Sequence, residues 1–152
     1  MKLSDILDYI LYRIDTPKIA IANEIKIIEN YIELEKIRFS NRVDLNFAID
    51  LKSQDIQIPP MLIIPFIENA FKHGVAKSVE KSWIKISIEE TDRGLNILVA
   101  NSKTQSKVED KKGGIGLMNV KKRLSLLYKE KYKLNIFEKQ IQYTVSLFIP
   151  IS

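Results

Sequence analysis

The residues best suited to chemistry lie in one short run, Glu68-Asn69-Ala70-Phe71-Lys72-His73-Gly74. At helical spacing Glu68, Asn69, Lys72 and His73 fall on neighbouring faces while Ala70 and Phe71 point elsewhere, so four polar groups can converge on one ligand. That set suits a nucleotide with Mg2+: the Asn69 side-chain oxygen takes one octahedral position, Lys72 meets phosphate and Glu68 orients a proton-bearing nucleophile. The competing reading is the solvent face of an ordinary helix.

A second cluster, Gly113-Gly114-Ile115-Gly116, opens another helical pattern. Its glycines allow a tight turn with no Cβ in the way, and the helix behind it offers unpaired N–H groups and a positive dipole end to an anion. Alone such a cluster is more often a flexible entry to a helix than a phosphate cradle; beside the Glu68 run it reads as a phosphate loop. Other chemistries are excluded by residue type. His73 is the one histidine and cysteine is absent, which removes multi-His metal sites, Cys-His dyads, disulfides and thiolate-held metals. Neither a Gly-x-Ser-x-Gly elbow nor a complete P-loop ending in Gly-Lys-Ser/Thr is present.

The elements that must position these groups follow from periodicity. Leu3, Ile6, Leu7, Ile10, Leu11 and Ile14 form one helical stripe, ended by Thr16-Pro17. A second helix runs through Ile25, Ile28, Tyr31, Ile32 and Leu34 to Ile37, with Asn23 as its expected N-cap, and stops near Ser40-Asn41. Val43, Leu45, Phe47 and Ile49 alternate as a half-buried strand. Pro60 to Ala76 reads as a buried helix starting on proline, with Pro65 in its first turn or kinking it. Trp83 to Glu90 and Leu95 to Ala100 form a hairpin, Ser102 to Lys112 a polar loop, and Leu117, Val120, Leu124 and Leu127 the apolar face of the last helix. Tyr132 to Phe137 and Tyr143 to Ile149 close the chain as strands. This order suggests one mixed sheet with helices on one side.

With 152 residues, 45% hydrophobic and 28% charged, the chain closes one core and is neither disordered nor large enough for two full domains. The longest apolar stretch, Ile58 to Ile67, carries three prolines and is too short to span a bilayer, and the first residues do not read as a signal peptide. Lack of cysteine fits a reducing compartment, the cytoplasm by default. The net charge of +5 is concentrated: residues 103 to 133 hold ten Lys or Arg and three acids. Such a surface suits nucleic acid, an acidic protein face or a polyphosphate, or is a solvated helix face.

Taken together, the run from Pro60-Met61-Leu62-Ile63-Ile64-Pro65-Phe66-Ile67 through Glu68-Asn69-Ala70-Phe71-Lys72-His73-Gly74, and Gly114-Ile115-Gly116-Leu117-Met118-Asn119-Val120-Lys121-Lys122-Arg123-Leu124, closely resemble the two ATP-site boxes of sensor histidine kinases of the LytS and YehU type. Tyr31-Ile32-Glu33-Leu34-Glu35-Lys36-Ile37-Arg38-Phe39 resembles the first helix of that family's catalytic domain. The resemblance implies an α+β fold, the two-layer α/β sandwich of the GHKL or Bergerat type, with a mixed, mostly antiparallel sheet covered by helices on one face. It implies ATP and Mg2+ as ligands, bound between the Asn69 helix and a lid at Ser102 to Lys112. Carried over by resemblance, Asn69 is the Mg2+ ligand, Glu68 the catalytic acid of the asparagine box, and Lys72 and His73 phosphate or ribose contacts. Gly114, Ile115, Gly116 and Leu117 then bind phosphate, with Asn119 and Arg123 nearby. The family's adenine box reads Asp-x-Gly-x-Gly; here Asn101-Ser102-Lys103-Thr104-Gln105 stands in its place, so Asn101 meets the adenine amino group as a neutral acceptor and holds it less strongly than a carboxylate.

The resemblance also implies an organisation: residues 1–15 as the C-terminal end of a dimerisation hairpin helix, 16–22 as linker and 23–152 as the catalytic ATP-binding domain. The expected activity is that of a protein-histidine kinase in a two-component system, transferring the γ-phosphoryl group of ATP to a histidine on a dimerisation helix missing from this chain. The chain alone is not expected to autophosphorylate. Expected partners are a response regulator of the LytTR type, the chain's own phosphoacceptor helix and a second copy in a homodimer, with no direct nucleic acid. The expected location is a cytoplasmic domain of a protein anchored in the cell membrane through its missing N-terminal part. The alternative is a nucleotide-binding regulatory or protein-interaction module without kinase activity. A nucleic-acid binder using Lys111, Lys112, Lys121, Lys122 and Arg123 ranks last, because a polyphosphate at the glycine loop already accounts for those charges.

Overall fold

Apolar residues at every second position give each long strand one core-facing row, most deeply buried on the central strands β4, β5 and β7. The computed structural model describes residues 18–53, 55–76, 78–104 and 115–151. Its elements are β1 (Ile19–Ala20), α1 (Ile21–Phe39), β2 (Val43–Asp50), β3 (Gln57–Ile58), α2 (Ile64–Ala70) continued by a π-helical turn (Phe71–Val75), β4 (Ser82–Glu90), β5 (Gly94–Ser102), α3 (Ile115–Tyr128), β6 (Lys133–Glu138) and β7 (Gln142–Pro150). Among the described residues no helix is long and apolar enough to cross a membrane.

The main sheet has five strands in the order β2-β4-β5-β7-β6. β2 and β4 run parallel and the other neighbours antiparallel, the mixed, mostly antiparallel sheet expected. Register stacks the inward residues in rows: Phe47, Ile86, Val99, Val145 and Ile136 lie side by side, as do Ile49, Ile88, Ile97, Leu147 and Leu134. Ile21, Ile28, Ile32, Phe66, Ile67, Phe71, Leu117, Val120 and Leu124 from the helices complete the core, while Lys85, Glu89 and Asn96 on the alternate face meet solvent. Helices therefore cover one side of the sheet and leave the other open.

Four local expectations change. α1 begins at Ile21, with Ala20 at its N-cap, ahead of Asn23, so residues 19–22 form β1 and the opening of α1. β1 pairs with β3 in a small second sheet that the sequence pattern does not announce, since two-residue strands carry no periodicity. α2 starts at Ile64 and not at Pro60: a helix from Pro60 would set the Pro65 ring against the Met61 carbonyl, whereas the later start keeps Pro65 in the first turn. On α3 the fourth core place goes to Tyr128 and Leu127 is exposed, because 117, 120, 124 and 128 follow the helix repeat more closely. The Leu3 to Ile14 stripe lies outside the described residues.

Candidate nucleotide site

One inward row of the sheet does not stay apolar. Leu45 and Ile84 are followed across it by Asn101, Tyr143 and Glu138. Asn101 is 1% exposed, a carboxamide at a core-facing position near the end of β5. Its Nδ2 donates to the Ser102 carbonyl at 2.9 Å, which orients the amide. Directly above lies the end of the Asn69 helix, whose Gly74 packs on Asn101 closely enough that a Cβ there would fall 2.6 Å from Asn101 Nδ2.

α2 and its π turn carry the chemical run. Ala70 and Phe71 are buried, Glu68 and Lys72 exposed, and Asn69 and His73 half-buried, the partition expected from helical spacing. The π turn, marked by the Ala76 N–H donating to the Phe71 carbonyl at 2.9 Å, is new: it widens the helix after Ala70 and resets the phase of His73 and Gly74. Phe71 anchors this roof, stacked on Phe39 at 6.1 Å between ring centres and met edge-on by Tyr31 at 6.0 Å. The Arg42 guanidinium donates to the Val75 carbonyl at 3.2 Å, a cation at the C-terminal end of the turn.

The Tyr143 side chain is hydrogen-bonded to Asn69 and so joins sheet to helix. Burial first, then the Glu138 carboxylate, push the Tyr143 phenol above its ordinary value, and the Asn69 bond offsets part of that rise. The hydroxyl therefore stays neutral. Glu138 in turn pairs with Lys103 at 2.7 Å. On α1, burial raises the Glu35 carboxyl, Arg38 at 3.9 Å lowers it and Glu68 raises it further. Tyr31 is raised by burial, then by Glu35 and Glu68. Glu68 thus acts electrostatically on the flank of α1.

The glycine loop is partly in view. Gly113 and Gly114 lie outside the described residues, while Ile115 and Gly116 belong to the first turn of α3 and Leu117 is buried in the core. Leu117 can therefore meet a ligand through its backbone amide, not its side chain. The expected lid begins later than Ser102, which is still β5: its Oγ accepts the Trp83 N–H at 2.9 Å, and the Lys103 N–H donates to Ile141 O at 3.0 Å. Residues 105–112 lie outside the described residues. A groove of about 550 Å³ at the β2 edge, lined by Lys36, Ile37, Ser40, Val43, Asp44 and Lys81, holds none of the site residues.

Sequence reading missed Tyr143 and Glu138. The signal was present: continuing the core phase of Leu95, Ile97 and Val99 lands on Asn101, and that of Ile149, Leu147 and Val145 lands on Tyr143. Among the described residues no cluster of three His, Asp or Glu could hold a metal alone. A hard cation here would take the Asn69 oxygen together with oxygens brought by its ligand, and a neutral amide donor fits Mg2+ bound with a triphosphate.

Comparison with known proteins defines the class. The catalytic domain of histidine kinase ThkA superposes with a TM-score of 0.64 at 17% identity, covering 88% of this chain and 95% of that one. The histidine kinase domain of the Erythrobacter litoralis EL346 blue-light activated kinase gives 0.68 at 15%, covering 99% and 79%. The fold is that of histidine kinase catalytic domains. In sequence, the sensor protein LytS of Staphylococcus epidermidis is 30% identical over 144 residues, 87% of this chain and 24% of that protein. The sensor histidine kinase YpdA of Escherichia coli is 33% identical over 137 residues, 84% and 24%. A histidine kinase family model matches residues 1–43. In sequence the chain is similar to LytS-type sensor histidine kinases, and it spans about a quarter of the length of the curated relatives it matches.

Proposed function

We propose that this chain binds Mg-ATP between α2 and α3 and transfers the γ-phosphoryl group to a histidine on a dimerisation helix that this chain does not carry. The observation behind this reading is the polar end of the core row, where Asn101 and Tyr143 sit beneath Asn69 with Glu68 and Lys72 exposed beside it. Asn69 holds Mg2+ through its side-chain oxygen, and the metal supplies charge neutralisation on the phosphates. Because Asn101 Nδ2 is engaged with Ser102, its oxygen is the atom left for the adenine amino group. Lys72 meets phosphate as a mobile cation. Ile115, Gly116 and Leu117 offer backbone N–H groups in the first turn of α3, Gly114 joins them as a phosphate contact by family resemblance, and His73 contacts phosphate or ribose. Glu68 takes the proton of the attacking imidazole as the new N–P bond forms and ADP leaves, so catalysis is mostly positioning.

In the longer protein this domain works on the cytoplasmic side of a membrane-anchored, dimeric sensor, and the phosphoryl group passes to a response regulator of the LytTR type. Residues 1–15 end the dimerisation hairpin, and the catalytic domain begins with β1 at Ile19, ahead of the linker boundary that the resemblance implies. Calorimetric titration with a non-hydrolysable ATP analogue, with and without Mg2+, tests the reading. The expected result is metal-dependent binding that is lost in Asn69→Ala. Absence of binding at millimolar analogue would favour the second reading, a regulatory module without kinase activity, which the neutral Asn101 in place of a carboxylate supports.

A further inference from the structure

Glu24 stands in the first turn of α1, where an acid usually faces water, yet it is 0% exposed. Its Oε2 accepts the backbone N–H of Met61 at 3.1 Å. Met61 has φ of 58°, a left-handed conformation that a residue with a Cβ adopts only when its surroundings hold it there. It lies between Pro60 and the first residue of α2, Ile64, and Leu62 and Ile63 beside it are fully buried.

α2 depends on this turn. Its 7 residues, continued by the 5 of the π turn, start without a side-chain cap, so a helix of this length depends on the contacts at its entry for its direction. A slip of one residue in its approach would rotate its face by about 100° and carry Asn69 away from Tyr143. On the upstream side the approach is already pinned: Ile58 and Gln57 pair with Ile19 and Ala20, and the Ile21 N–H donates to Ile56 O at 2.7 Å. Glu24 supplies the tie on the downstream side, so the opening turn of α1 and the approach to α2 move as one piece.

We propose that Glu24 is a positioning residue of the nucleotide site: its buried carboxylate clamps the Met61 turn and thereby sets the phase at which α2 presents Asn69. This rests on the nucleotide reading above and adds to it a residue remote from any ligand. The clamp needs an acceptor of the right reach, not a charge.

Three variants of this chain test it: Glu24→Gln, which keeps a side-chain oxygen at the same distance, Glu24→Leu, which removes it, and Glu24→Asp, shorter by one methylene. Two readouts are taken well below the melting temperature. One is affinity for the Mg-bound ATP analogue. The other is the NMR signals of the His73 imidazole, unambiguous because His73 is the one histidine, recorded without nucleotide. Glu24→Gln is expected to match the parent on both. Glu24→Leu is expected to bind about tenfold more weakly or worse and to shift the His73 signals. Should Glu24→Leu fail to fold, Glu24→Asp decides, with weaker binding and displaced signals expected because its carboxylate reaches Met61 only by drawing the turn inward. Parent-like signals in Glu24→Leu or Glu24→Asp would overturn the proposal, as would equal losses in Glu24→Gln and Glu24→Leu. If the parent itself bound no analogue, the nucleotide reading would fall while the His73 signals still decided the clamp.

Discussion

Gly74 and Asn101 pack so closely that any side chain at 74 would collide with the floor of the site: a Cβ would lie 2.6 Å from Asn101 Nδ2 and 2.8 Å from the Ser102 carbonyl. The second neighbour is backbone and cannot rotate away. Gly74→Ala is therefore expected to cost about 1–3 kcal/mol of stability and to weaken the nucleotide analogue as the helix end lifts from β5. Denaturant unfolding and titration of the same sample check both. Gly94→Ala, where a Cβ would meet the Ile149 carbonyl at 2.1 Å far from Asn69, should destabilise at least as much while leaving the affinity of the folded fraction unchanged.

Tyr143→Phe removes one oxygen and keeps the ring. The bond to Asn69 is lost, so the amide loses the partner that fixes its orientation. Expected is a fall of about tenfold in Mg-dependent analogue affinity, with little change in the metal-free component and about 1 kcal/mol of stability lost. Equal loss with and without metal would show that Tyr143 supports the base and not the metal ligand.

A carboxylate at position 101 would be a stronger acceptor for an adenine amino group, but the structure sets a cost against it. In Asn101→Asp the atom facing Ser102 O, now an Nδ2 donor at 2.9 Å, becomes an oxygen in a site 1% exposed. Two acceptors would then oppose each other, at a cost of about 1–3 kcal/mol. The expected outcome is a lower melting temperature without nucleotide and a larger rise on adding it than the parent shows. An unchanged melting temperature without nucleotide would mean that the amide does not hold its place through Ser102.

Glu35 gives a pH dependence whose sign follows from its raised pKa. Burial, its largest cause, favours the protonated form, so between the unfolded value near 4.5 and the higher folded value the native chain binds more protons than the unfolded one. Stability from this group is present at acid pH and falls as pH rises through that window. Glu35→Gln should flatten this part of the stability profile and raise the melting temperature near neutral pH relative to the parent. A lower melting temperature there would mean that the pairing with Arg38 outweighs burial.

Local pattern was enough for much of this molecule. Period-two alternation marks β2 and β4, whose second faces are mostly polar, and the polar run from Glu68 to His73 stands out because Ala70 and Phe71 beside it must be buried. Three features came only with tertiary structure. The polar row of Asn101, Tyr143 and Glu138 needs the register of β5, β6 and β7, which is set by how inward side chains stack and not by any one strand. The π turn that carries Gly74 goes with the packing of the helix end against Asn101, a contact between residues 27 apart. The burial of Glu24 is invisible locally, since an acid in a first helical turn ordinarily belongs to water; here the left-handed Met61 turn, distant in sequence, brings an N–H to its Oε2. Sequence determined which faces are apolar and which residue types could do chemistry. The packing of distant segments decided which polar groups those faces enclose, because a buried hydrogen bond forms only where two separate elements bring donor and acceptor together.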